Sequence, residues 1–267
     1  MTNDNILKSF SFDDQLAGDT DVLQFFTYFE KNGFHTYKLN ISDTESFLDA
    51  IKEEARKYYI LDSELAEKSE EIGIGKSEFL EQYVLPSVGK IKSGDFGEIF
   101  SCSFVKERYA QKGFILVCPR KFIWKMDRDK AMPFTDVVGF YREDIAKASS
   151  NDFIVSVESK MKATNSAANR IQEAIDGAQK DRTTRLAKTL IWLKQKYGRE
   201  GNAKMHEFTK RYSNPVYQGT YNKIYKAFTI VDSKFETTEI ENPVNNNDGI
   251  TIIVISMDNL KNIYENF

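Results

Sequence analysis

Ile154, Val155 and Val157 form a β-branched run that ends on two charges, Glu158 and Lys160. Nothing in Asn151-Asp-Phe-Ile-Val-Ser-Val-Glu158-Ser-Lys160 interrupts an extended backbone before Glu158, so the run reads as a buried strand. Residues i and i+2 of a strand point to the same face, which places the Glu158 carboxylate and the Lys160 ammonium side by side. A second apolar stretch, Thr135-Asp136-Val-Val-Gly-Phe-Tyr141, lies a short way upstream and carries an acid at its start. If the two pair antiparallel, Asp136 meets the Glu158 end at one sheet edge. Two carboxylates at one point repel unless a cation lies between them, and hard divalent cations take oxygen ligands of this kind. A lysine beside such a cation orients a water or stabilises a developing phosphorane charge.

This set of residues resembles the signature of the PD-(D/E)XK nuclease superfamily: an acid, a gap, then Glu or Asp, any residue, and Lys. Asp136 takes the place of the acid, and Glu158 and Lys160 form the pair. That superfamily often carries one more Glu on a preceding helix, and Glu98 in Gly94-Asp-Phe-Gly97-Glu98-Ile-Phe100 stands there. The chain departs from the pattern in its proline, because Pro133 does not directly precede Asp136. The resemblance implies Mg²⁺ or Mn²⁺ held by Glu98, Asp136 and Glu158, with the Ser159 carbonyl, and Lys160 acting on the attacking water. A narrower resemblance is to the HamA family, the nuclease subunits of Hachiman anti-phage defence systems. It rests on the GxxGE-like segment, the Asp strand and the Glu-Ser-Lys strand end. It implies a metal-dependent deoxyribonuclease that works with a separate helicase subunit, HamB.

Charge is unevenly spread. Residues 1–90 hold 9 basic and 18 acidic residues, a net of −9, whereas residues 161–211 hold 12 and 5, a net of +7. The basic segment follows directly on the proposed acidic site, as suits an enzyme whose neighbouring side chains hold a phosphodiester backbone. Arg170, Lys180, Arg182 and Arg185 are its candidate phosphate contacts. With 41% hydrophobic residues the chain can bury a sizeable core, yet no apolar run approaches the length of a membrane span. The polar start at Met1 lacks the basic and apolar regions of a signal peptide, and Cys102 and Cys118 lack metal-site spacing. A cytoplasmic protein is expected. His35 and His206 stand far apart without a nucleophile elbow, and no phosphate loop of the GxxxxGK[ST] kind is present. An ATPase partner would therefore have to be another chain.

Taken in order, Asn32-Gly33 reads as a turn and His35–Leu39 as a short strand. Ser42 and Glu45 have the spacing of a capping box for a helix through Phe47, Ile51 and Ala55. Helices are expected up to Pro86 and from Lys90 to Ala110, then strands at Phe114–Cys118 and Phe122–Met126. Asp127 and Asp129 read as turn residues that are alternatives to Asp136. Ala167–Tyr197 is helical, as one helix or two, and Ala227–Val231 and Ile250–Ile255 are strands. Asp232-Ser-Lys234 repeats the acid-x-Lys pattern, but no acid-led strand precedes it at hairpin distance.

The expected fold is α/β (α+β): a restriction-endonuclease-like core over residues 90–267, its mixed sheet flanked by helices. Residues 1–89 form an acidic, α-rich addition, either a lobe for contacting a partner or a cap on the core. The second functional reading is a catalytically inactive DNA-binding or assembly subunit on the same fold.

Overall fold

The β-branched run does form a strand, and it lies inside a six-stranded mixed sheet. The computed structural model describes residues 21–144, 147–242, 244–245 and 249–267, so the start at Met1 lies outside the described residues. The strands are β1 (Phe26–Lys31), β2 (Phe34–Leu39), β3 (Val137–Tyr141), β4 (Phe153–Lys162), β5 (Asn222–Asp232) and β6 (Ile250–Met257). Their spatial order is β1-β2-β6-β5-β4-β3. The inner pairs β2·β6, β6·β5 and β5·β4 are parallel, and the two outer pairs are antiparallel. Asn32 and Gly33 both adopt positive φ, at 52° and 77°, which fits the twist of a two-residue hairpin between β1 and β2.

Parallel strands covered on both faces read as near-continuous apolar runs; β6 does so, as do the stretches Phe153–Val157 of β4 and Ala227–Val231 of β5 apart from one hydroxyl residue each. Helix α1 (Thr44–Tyr59) is followed by α2 (Asp62–Ile72), α3 (Lys76–Phe79) and α4 (Gly89–Ala110). On one face of the sheet, Phe47 and Ile51 of α1 and Phe96, Phe100 and Phe104 of α4 pack on Val155, Val157, Phe228 and Ile253. The other face carries α5 (Arg170–Lys180), α6 (Leu186–Arg199) and α7 (Ala203–Ser213), with Ile171, Ala174 and Leu190 against Ile154, Ala227 and Val254. A π-helical turn, Asp181–Arg185, joins α5 to α6 without a break. Two short helices, α8 (Ser233–Glu241) and α9 (Leu260–Glu265), complete the set.

Three local expectations change. Phe114–Cys118 contributes only a single bridge, Val117 to Phe140, and Lys121–Trp124 is a 3₁₀ turn. Leu116, Val117, Cys118 and Phe122 are buried nonetheless, so their apolar pattern reports burial and not a strand. The order of three strands after α4 is thus reduced to β3 and β4. Asp43, not Ser42, precedes α1, and no side chain caps that helix. Asp129 accepts from the Ser87 and Val88 backbone N–H groups at 2.6 and 3.1 Å, just before α4, which gives it a capping role. Asp232 accepts from Lys234 N at 3.3 Å and Leu260 N at 3.1 Å, so the second acid-x-Lys motif fixes the starts of α8 and α9.

Phe100 is fully buried where α4 meets the sheet, with ring contacts to Phe26, Phe47, Phe96, Phe104 and Phe228. Phe100→Ala is expected to cost about 3–5 kcal/mol, read as a lower urea midpoint at unchanged slope. A loss under about 1 kcal/mol would mean that the aromatic cluster repacks freely.

Candidate active site

Val137 pairs with Val157, so Asp136, one residue ahead of β3, faces the Glu158 end of β4. The Asp136 carboxylate accepts from the Ser159 N–H at 2.9 Å, which fixes the acid to the strand beside it. Lys160 Nζ lies 2.5 Å from Glu158 Oε1 and 4.0 Å from Asp136 Oδ2. These three side chains therefore converge at one end of the β3–β4 pair. Glu98 approaches from α4. It lines, with Thr135 and Asp136, a cavity of about 20 Å³, room for roughly one water. Ser159 ties α4 to β4 by donating its hydroxyl to the Gly97 carbonyl at 3.0 Å.

Each carboxylate already has a cation. Glu158 is 3% exposed. Its second oxygen, Oε2, is held by Arg185, whose other bonds go to Asp181 Oδ1 at 2.5 Å and the Gly177 carbonyl at 2.9 Å. Glu98 is held by Lys121 at 2.5 Å, and Lys121 also donates to the Thr135 carbonyl at 3.0 Å. Asp181 is buried and saturated, accepting from Thr135 Oγ1 at 2.9 Å and Ser156 Oγ at 2.7 Å as well as from Arg185. Among the described residues, no three carboxylate, imidazole or thiol side chains are gathered closely enough to chelate a metal.

The electrostatics follow from this crowding. Burial pushes Glu158 up to about 7; Asp136 adds to the effect while Lys160 and Arg185 oppose it. Burial likewise pushes Glu98 up to about 8, opposed by Lys121 and reinforced by Asp136. For Lys160 burial acts to lower the ammonium, but Asp136 and Glu158 outweigh it and hold the group above its ordinary range.

Glu158 also needs Gly177. A Cβ there would stand 2.4 Å from the Glu158 Cγ and Cδ, far inside van der Waals contact. Gly177, Asp181, Arg185 and Lys121 were not identifiable as parts of this site from sequence, because each reaches it across long separations. A glycine inside an otherwise regular helical pattern was the one available signal. Arg185, expected as a phosphate contact, is turned inward onto Glu158 and Asp181. Arg170 pairs with Glu173 at 2.5 Å, while Lys180 and Arg182 are exposed beside the π turn.

A family model, HamA, matches residues 14–267, nearly the whole chain. The chain belongs to the HamA family. It is accordingly a component of the Hachiman anti-phage defence system. No curated protein matches it. Among the described residues, no helix of this HamA-family chain is long and apolar enough to cross a membrane.

Gly177→Ala is expected to expel Glu158 from its slot and to cost about 1–3 kcal/mol, the range for an overpacked interior. Thermal unfolding measures the cost, and loss of any Mn²⁺-induced rise in melting temperature reports the displaced carboxylate. The raised glutamates set a second expectation. Both bind a proton more tightly in the folded chain than at their ordinary value of 4.5, reaching about 7 and about 8. Their contribution is therefore full below about 4.5 and is lost as pH rises through that window. In EDTA, the urea midpoint of Glu98→Gln should fall less between pH 5.5 and 8 than that of the wild type. An equal fall would remove Glu98 as the source.

Proposed function

We propose that this HamA-family chain is a metal-dependent nuclease that hydrolyses DNA phosphodiester bonds, acting in Hachiman defence beside a helicase subunit of the HamB kind. The observation that carries the reading is the convergence of Asp136, Glu158 and Lys160 at one strand end. The donor chemistry fits Mg²⁺ or Mn²⁺: the carboxylates of Glu98, Asp136 and Glu158, with the Ser159 carbonyl, are hard oxygen ligands. Glu158 is buried and Glu98 largely so; burial pushes both upward and the Asp136 charge adds to it, an unfavourable crowding that a divalent cation would relieve.

When bound, such a metal supplies Lewis-acid activation and neutralises charge on the phosphoryl group. Lys160, charged and partly exposed, orients the attacking water and steadies the negative charge that grows on the phosphorus oxygens. Arg185 and Gly177 keep Glu158 in its slot, and Asp181 keeps Arg185 in place. On this reading Lys180 and Arg182, exposed at the C-terminal end of α5 and in the π turn, contact the phosphodiester backbone.

A second reading has its own support. Because Lys121, Lys160 and Arg185 already neutralise the acids, the same fold also suits a DNA-binding or assembly subunit without catalysis. Metal separates the two.

Lys160→Ala should lower Mg²⁺- or Mn²⁺-dependent cutting of supercoiled DNA by at least about 100-fold, the scale of a positioned proton-transfer group. DNA binding by gel shift should change little. Cutting at the wild-type rate by that variant sinks the assignment. Failure of the wild type to bind Mn²⁺ moves the conclusion to the binding subunit.

A further inference from the structure

Away from the carboxylates, a cleft of about 490 Å³ opens between α1, the Leu80–Val84 turn and the first turn of α4. That volume falls within the range of small-molecule sites. Its apolar wall is made by Leu80, Leu85, Pro86 and the rings of Tyr59 and Phe267. The Phe267 ring is fixed by an edge contact to Phe96, 4.9 Å between centroids. The rim is charged. Arg56 is neutralised within the protein by Asp62 and by Glu53 at 3.3 Å. Lys52 and Lys92, by contrast, face the cleft without a carboxylate partner among the described residues. Asp49 and Asn266 add polar groups able to pair with a sugar or a base edge.

Tyr59 connects the cleft wall to the surroundings of Glu98. Tyr59 is buried and donates its hydroxyl to Asp95 Oδ2 at 2.9 Å. Asp95 also holds the Lys125 ammonium and stands one helical turn ahead of Glu98 on α4. Lys125 lies one turn beyond Lys121, the cation on Glu98. A ligand that shifts the Tyr59 ring therefore acts on the buried Asp95–Lys125 pair, which lies one turn from the Lys121–Glu98 pair on both elements.

We propose that this cleft binds a small phosphorylated ligand of nucleotide type, its aromatic body against Tyr59, Leu80 and Leu85 and its phosphate between Lys52 and Lys92, and that occupancy is relayed to Glu98 through Tyr59 and Asp95. The ligand site stands on the cleft alone; the relay rests on the nuclease reading.

Isothermal titration of the full chain with AMP and with ATP tests the site, with inorganic phosphate as the control. At least one nucleotide should bind, and Lys52→Glu and Lys92→Glu should each weaken it by about tenfold, the scale of one charged hydrogen bond. Leu80→Arg should abolish binding by filling the apolar wall. No binding of either nucleotide, or binding no tighter than phosphate, overturns the site. For the relay, Mn²⁺ affinity is read by thermal shift with and without the bound nucleotide. The nucleotide should change it in the wild type but not in Tyr59→Phe, which keeps the ring and the ligand. A wild type that binds both without mutual effect, or an effect that survives Tyr59→Phe, overturns the relay. Nucleotide binding without any Mn²⁺ binding removes the relay together with the nuclease reading and leaves the ligand site standing.

Discussion

Burying the Glu158 carboxylate in the sheet is the constraint to which its surroundings answer. A lone ionised carboxylate in such a place is costly, and the chain offsets the cost with two cations, Lys160 on Oε1 and Arg185 on Oε2. Arg185 in turn needs an anchor, which is Asp181, and Asp181 needs donors, which are Thr135 and Ser156. Gly177 leaves the room in which all of this fits. The π-helical turn at Asp181–Arg185 belongs to the same account. It sets both ends of the Asp181–Arg185 pair at the carboxylate while α5 runs on into α6. π turns are found often at functional sites, and here the extra residue in the turn serves a charge.

That network explains which parts of the site were readable from sequence and which were not. Glu158 and Lys160 announce themselves because strand periodicity is local and their shared face follows from a spacing of two. The antiparallel match of the Asp136 segment was also accessible, since hairpin-like pairing of neighbouring stretches needs little long-range information. Lys121, Gly177, Asp181 and Arg185 are different. Their roles depend on how a loop and two helices pack on the sheet, and nothing at those positions marks the partner. The Leu116–Phe122 region misled for a related reason. Its ends are apolar because they are buried in the cores on both faces of the sheet, yet after the Val117 bridge its backbone turns away from the ladder. Periodicity reports where side chains go before it reports where hydrogen bonds go.

The same balance of charges bears on regulation. On the metal-dependent reading proposed above, Lys121, Lys160 and Arg185 occupy the oxygens that a divalent cation would use. Any change that draws one of these cations aside frees a ligand, and any change that tightens it withholds one. Lys121 is the most open to such influence, because it sits in a 3₁₀ turn that also carries Phe122 against Tyr59.

The strand order has a consequence for synthesis. β2 is made early and β6 near the end of the residues described, yet the two lie side by side in parallel, with β6 also filling the gap beside β5. The β1–β2 hairpin cannot reach the sheet through any other strand. Until Ile250–Met257 leaves the ribosome, β2 and β5 both present open edges, and parallel pairings across such separations close slowly. The arrival of β6 therefore zips two halves of the sheet together, and a chain that lacks β6 exposes adhesive edges on both.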